Sequence, residues 1–154
     1  MYRPSRLHSL IRSAALFVLV LVAPLASAAP SPSVQGNWLT GNGQGVVQIA
    51  RCGAGLCGRI VGIDRAPGEP MPTDVRGRSQ CGLTIITADR ADPDGTWHGQ
   101  ITDPRDGHSY RTRMSVDERG DLRLRAFVGV PLLGSTQVWR RFAGRIGADC
   151  RKLP

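Results

Sequence analysis

Residues 109–128 read SYRTRMSVDERGDLRLRAFV, and their alternation decides the fold. Tyr110, Thr112, Met114 and Val116 fall on one side of an extended chain, with Arg111, Arg113 and Ser115 on the other. After Asp117-Glu118-Arg119-Gly120, the residues Leu122, Leu124, Ala126 and Val128 alternate with Arg123, Arg125 and Phe127. A period of two sends successive side chains to opposite faces of a strand. The stretch therefore predicts an antiparallel hairpin with one apolar face and one basic face. Gly120 offers the left-handed position that a short connection needs.

The same pattern extends in both directions. Trp97, Gly99 and Ile101 alternate with His98, Gln100 and Thr102. Strand-like runs fall near 36–40, 46–52, 57–63, 83–88, 96–102, 109–116, 122–128 and 136–142, separated by Gly and Pro. No amphipathic stretch of helix length interrupts them. Such spacing predicts an all-β domain of about eight antiparallel strands, a barrel or a sandwich.

The first residues read differently. Arg3, Arg6 and Arg12 precede the apolar run AALFVLVLV, Pro24 and Ala26-Ser27-Ala28. This is the layout of a secretory signal, and the run is short of the roughly 20 residues that span a bilayer. Residues 1–28 are expected to leave as a signal peptide, with residues 29–35 a short mobile lead-in, 36–142 the barrel and 143–154 a C-terminal tail. No later segment is apolar enough to form a transmembrane anchor. The expected location is periplasmic or secreted.

Cys52, Cys57, Cys81 and Cys150 all lie downstream of that signal. In an exported chain, four cysteines read as a disulfide framework. Cys52 and Cys57 flank a predicted hairpin loop and fall within bridging reach across it. Cys81 and Cys150 then form the second pair, tying the tail to the barrel wall. Spacing leaves the two other connectivities open.

Loss of residues 1–28 removes three arginines and no acid, so the formal charge falls from +8 to +5. Lys152 is the sole lysine, a bias of genome composition rather than the footprint of a nucleic-acid partner.

Several motifs in order carry a resemblance. They are VVQIARCGAGLCGRIVGI at 46–63, Cys81-Gly82-Leu83, WHGQITDP at 97–104 with Gly107 and Tyr110, residues 122–129, and QVWRR at 137–141. The series resembles a bacterial exported family catalogued as domain of unknown function 2147, over residues 36 to about 142. The resemblance implies a single lipocalin-like (calycin) barrel and no established activity. The tail beyond residue 142 exceeds the family pattern, so it lends no support to a Cys81–Cys150 bridge. Gly36-Asn37-Trp38 looks like the G-x-W signature that opens a calycin barrel. The resemblance implies that Trp38 plugs one end beneath a last-strand arginine. Arg141, which shares parity with Trp139, is the first choice, and Arg140 the second. That role is structural.

No nucleophile elbow, zinc-protease or phosphate-loop motif occurs, and nothing implies a cofactor. Asp103, Asp106 and His108 cluster in one turn and could serve as metal ligands or hydrolytic groups. Asp-Pro and Asp-Gly are also ordinary hairpin chemistry, which is the preferred reading, so no catalytic or metal site is assigned.

Two binding features remain. The apolar loop 127–134 holds Phe127, Val130, Leu132 and Leu133. It is expected at a barrel rim, either exposing a ligand mouth or, the favoured alternative, folding Leu132 and Leu133 inward to cap the core. The long segment 64–80, with Asp74, Arg76 and Arg78, is expected to act as a lid. Separately, Arg111, Arg113, Arg123 and Arg125 form a basic row on facing strands, a candidate anion-binding surface. The leading expectation is a non-catalytic module that binds a small apolar or amphipathic, lipid-like ligand in the cell envelope. The alternative is an envelope scaffold that uses the basic face over a solid core.

Overall fold

The computed structural model describes residues 32–153. The expected signal peptide and its cleavage point lie outside them. Eight strands follow in chain order: β1 (Gly36–Leu39), β2 (Gly45–Cys52), β3 (Gly55–Ile63), β4 (Thr84–Ala91), β5 (Trp97–Thr102), β6 (Ser109–Val116), β7 (Leu122–Phe127) and β8 (Ser135–Arg141). Each pairs antiparallel with its successor, and β8 returns to β1, so the sheet closes into a barrel. Among the described residues, closure gives every strand a partner on both sides, although β8 meets β1 through Arg140 and Arg141 alone. One 3-10 turn, Pro131–Leu133, interrupts the β7–β8 connection.

Strand polarity gives the barrel two unlike ends. At one, tight hairpins join β2 to β3, β4 to β5 and β6 to β7. At the other lie the β1–β2, β3–β4, β5–β6 and β7–β8 connections, including the long segment 64–83. The early hairpin is tighter than its sequence suggests: β3 already begins at Gly55, and Gly53 turns the chain at φ 62°.

The inward side chains make one core. Trp38, Val47, Ile49, Leu56, Ile86, Met114, Leu122, Leu124 and Trp139 are all buried. They come from seven of the eight strands, so the core forms only when the sheet curls. Gly58 shows how tightly: a Cβ there would lie 2.7 Å from Ile86 Cβ. The register shift beside it, between Gly58 and Arg59, bends β3 around that contact.

The disulfides are Cys52–Cys57 and Cys81–Cys150. The first closes the β2–β3 hairpin. The second brings the tail onto the end of β3, where the Ile63 amide donates to the Cys150 carbonyl (2.8 Å) and the Lys152 amide to the Ile63 carbonyl (2.8 Å). Arg65 and Asp149 add an ion pair at 2.9 Å. The tail thus extends the wall at the end opposite the tight hairpins.

Candidate binding site

Trp38 seals one end. It is 0% exposed, and its indole N–H donates to the Val34 carbonyl at 2.8 Å. Arg141 lies over the ring with Cζ 3.9 Å from the centroid. The guanidinium also donates to the Gln35 carbonyl at 2.6 Å and to that of Ser33. Residues 33–35, read from sequence as part of a mobile lead-in, are therefore tied to the barrel floor, and Val34 is buried there. Arg140, the second choice of partner, is paired across from Leu39 and exposed. Nearby, Arg51 stands over Trp97 at 5.4 Å on the same end.

The other end is open. A cavity of about 880 Å³ runs into the barrel. Its wall is aliphatic, with Val47, Ile60, Ile85, Ile101 and Leu124, and its lip carries Asn42, Gln44, Gln80, Arg105 and Gln137. The interior is thus hollow at this end and packed solid at the other, which removes the solid core of the scaffold alternative.

The sequence-derived site residues divide around this mouth. Phe127 and Leu133 line it; Val130, Leu132, Asp74, Arg76 and Arg78 do not. The inward folding favoured for Leu132 and Leu133 does not occur, since they are 86% and 79% exposed. The cause is Arg125, which donates from Nε to the Pro131 carbonyl (2.6 Å) and from a terminal nitrogen to that of Leu132 (3.2 Å). Phe127 sits in the wall between cavity and outer face, with Arg111 over its ring at 5.8 Å.

Asp74 organises the long loop instead of facing a ligand. It is buried, accepts from the amides of Arg76 (2.9 Å) and Arg78 (2.8 Å), and pairs with the Arg78 guanidinium at 2.7 Å. Burial alone would raise its pKa; the Arg78 and Arg76 hydrogen bonds outweigh that and lower it. The Val75 amide then donates to the Pro104 carbonyl (3.1 Å), which docks this loop onto the β5–β6 connection. Asp64, Pro72 and Gln80 are the residues of the segment that reach the cavity.

The basic row is broken by register. Arg113 faces Arg125 directly, but Arg111 faces Phe127 and Arg123 faces Ser115. Arg125 is committed to the loop carbonyls and Arg123 leans toward Asp117 at 3.8 Å. Strand parity gave their shared side, but not their partners.

Asp103, Asp106 and His108 do not converge on one point, although His108 Nδ1 lies 3.1 Å from Asp106 Oδ2. Asp103 is held by Arg105 through contacts of 3.0 and 2.6 Å, and Asp106 accepts from the His108 amide at 2.8 Å. His98, which alternates with Trp97, Gly99 and Ile101, places Nε2 2.6 Å from Asp92 Oδ2. Among the described residues, no group of three His, Cys, Asp or Glu side chains could hold a metal ion.

A closed eight-stranded antiparallel barrel, one end plugged by an arginine-capped tryptophan and the other open, defines the class: this is a lipocalin-type barrel. The chain belongs to the family described as "Uncharacterized protein conserved in bacteria (DUF2147)", whose model matches residues 36–141. It is also similar to a solved structure, "Protein HP1028 from the human pathogen Helicobacter pylori belongs to the lipocalin family". The TM-score is 0.60 at 17% identity, covering 72% of this chain and 84% of that one, which speaks to fold alone. No curated protein matches.

Proposed function

We propose that the protein is a non-catalytic binding module for a small apolar or amphipathic ligand, acting in the cell envelope. The open cavity carries this reading. Its volume of about 880 Å³ falls within the range of roughly 300–1,000 Å³ typical of small-molecule sites. Val47, Ile60, Ile85, Ile101 and Leu124 make much of its wall apolar, so displacing water from that part favours a hydrocarbon ligand. Two disulfides are compatible with the oxidising compartment that an exported chain would reach.

The lip favours an uncharged polar end on that ligand. Arg105 is bound to Asp103, and Lys152 stands 3.4 Å from Asp64. Asn42 is bonded to Thr40 and Gln44, but among the described residues the amide nitrogens of Gln44 and Gln137 and the amide oxygen of Gln80 are left to meet a hydroxyl, ester or carbonyl.

The test is native mass spectrometry of protein purified without detergent, together with titration of a fluorescent fatty-alcohol probe. A bound lipid-sized mass, or saturable probe binding that Ala126→Phe weakens at least about tenfold by filling the cavity, supports the reading. Wild-type protein that carries no mass and binds no apolar probe overturns it.

A further inference from the structure

Two features remain outside the cavity reading, and they adjoin. The first is the β7–β8 loop, where Val128, Val130, Leu132 and Leu133 are 69%, 54%, 86% and 79% exposed. Apolar side chains in a loose loop would turn inward. Here Arg125 grips the carbonyls of Pro131 and Leu132 and the Thr136 hydroxyl (2.7 Å), so the loop backbone is held in place with its side chains outside. An apolar patch held exposed in this way marks a contact site.

The second feature is a polar groove of about 440 Å³ between this loop and the outer face of β4, β5 and β6. Gly129 and Pro131 form its loop side, and Arg90, Arg111, Arg113 and His98 form its sheet side, with Asp89 also on its border. Arg90 and His98 both approach Asp92, at 3.5 and 2.6 Å. Among the described residues, neither Arg111 nor Arg113 has a carboxylate within ion-pair distance. The groove thus presents two uncompensated guanidiniums directly behind an apolar tip.

We propose that the loop and groove dock the open end of the barrel on a membrane surface of anionic phospholipid. Val130 and Leu132 enter the boundary of the acyl chains, and Arg111 and Arg113 receive headgroup phosphates in the groove. The complementarity is chemical on both counts: apolar tip to hydrocarbon, paired guanidiniums to phosphate. Placement supports it as well. Val128 and Leu133 of the same loop line the cavity mouth while Val130 and Leu132 stand off it. Docking through this loop brings the mouth to the bilayer, so that an apolar ligand passes between cavity and membrane with little exposure to water. That purpose rests on the ligand-binding reading above; the docking contact does not.

The experiment is co-sedimentation of the purified protein with vesicles of phosphatidylglycerol or of phosphatidylcholine at low salt, with the fatty-alcohol probe titration run in parallel. Wild type is expected to sediment with phosphatidylglycerol, less with phosphatidylcholine, and less at high salt. V130D/L132D and R111E/R113E should each lose at least about tenfold in phosphatidylglycerol binding. Both should keep wild-type melting and probe binding, because none of the four residues lines the cavity. Failure of wild type to bind vesicles overturns docking, as does vesicle binding unchanged in V130D/L132D. So does groove occupancy by soluble glycerol phosphate without vesicle binding. Concentration-dependent self-association abolished by V130D/L132D would assign the loop to a second copy of the chain instead. Vesicle binding with no probe binding would leave docking standing and remove the cavity reading alone.

Discussion

Arg141 stands directly across from Trp38 in the β8–β1 pairing, and its guanidinium covers the indole at 3.9 Å. This contact sits where the first and last strands meet, so it closes the sheet and caps the core together. Gly36 is part of the arrangement. Its φ is 135°, and a Cβ at that position would fall 2.2 Å from an Arg141 terminal nitrogen. The glycine of G-x-W thus suits both its left-handed backbone and the arginine that covers the tryptophan.

Arg141→Ala is expected to cost about 2–4 kcal/mol, from the cation–π contact and the two charged hydrogen bonds to Gln35 and Ser33. Arg141→Lys should fall between, since an ammonium lacks the planar fork. Gly36→Ala should be similarly damaging in the wild type and less so beside Arg141→Ala, a non-additivity read from a double-mutant cycle in urea. Additive costs would separate the two residues.

The two disulfides should contribute unequally. Cys81–Cys150 spans 69 residues and Cys52–Cys57 spans 5. In the chain-entropy account, their loss costs about 4 and about 2 kcal/mol respectively. C81A/C150A should also free the tail, seen as rapid proteolytic trimming beyond residue 142 and loss of amide protection at Ile63 and Lys152, while C52A/C57A should leave the tail protected. Equal protection of the tail in both variants would mean that the backbone bonds at Ile63 suffice.

These features differ in how far the sequence reveals them. The strands were legible because burial on one face of a sheet imposes a period of two, and Met114, Leu122 and Leu124 display it without exception. The plugged end was legible through Gly36 and Trp38, although only by likeness to a known barrel signature. The open end was not. Whether Leu132 points in or out depends on Arg125, whose side is set by parity but whose acceptors are set by how the loop folds back. Asp74 reads as a polar loop residue, yet it is the buried hub of its turn, because its partners Arg76 and Arg78 bond through backbone amides that every sequence possesses. The hollow beside Ile60, Ile101 and Leu124 is likewise a matter of barrel diameter, which no single strand encodes.

Arg125→Ala is expected to release the β7–β8 loop. Its guanidinium makes two hydrogen bonds to that connection and a third to Thr136 at the start of β8, and losing a charged donor of this kind costs about 1.5–3 kcal/mol. Hydrogen exchange should accelerate at Leu133 and Gly134, whose amides close the 3-10 turn, while the β2–β3 hairpin stays protected. Leu132 and Leu133 are then free to collapse toward the mouth, so probe binding should weaken even though Arg125 lies outside the cavity. Unaltered exchange in the loop would show that Pro131 alone holds its shape.

Acid should loosen the mouth before it unfolds the floor. Asp103 lies on the cavity lip, where hydrogen bonds from Arg105 hold its carboxyl below the ordinary value of 3.8, partly opposed by burial. A carboxylate with a lowered folded pKa contributes stability that is fully present above its unfolded value and fades as pH falls through the folded one. The contribution of Asp103 is therefore complete at neutral pH and lost below about pH 4. Asp103→Asn should cost less than about 1 kcal/mol at pH 7, because the pair is largely at the surface. The variant should also flatten the fall of melting temperature between roughly pH 4 and pH 2, and bring forward to pH 7 any weakening of probe binding that wild type shows in acid. A variant with an acid limb as steep as wild type would move the responsibility to Asp106 or Asp149, whose carboxyls are also held low, by the backbone amide of His108 in one case and, against opposing burial, by that of Arg151 in the other.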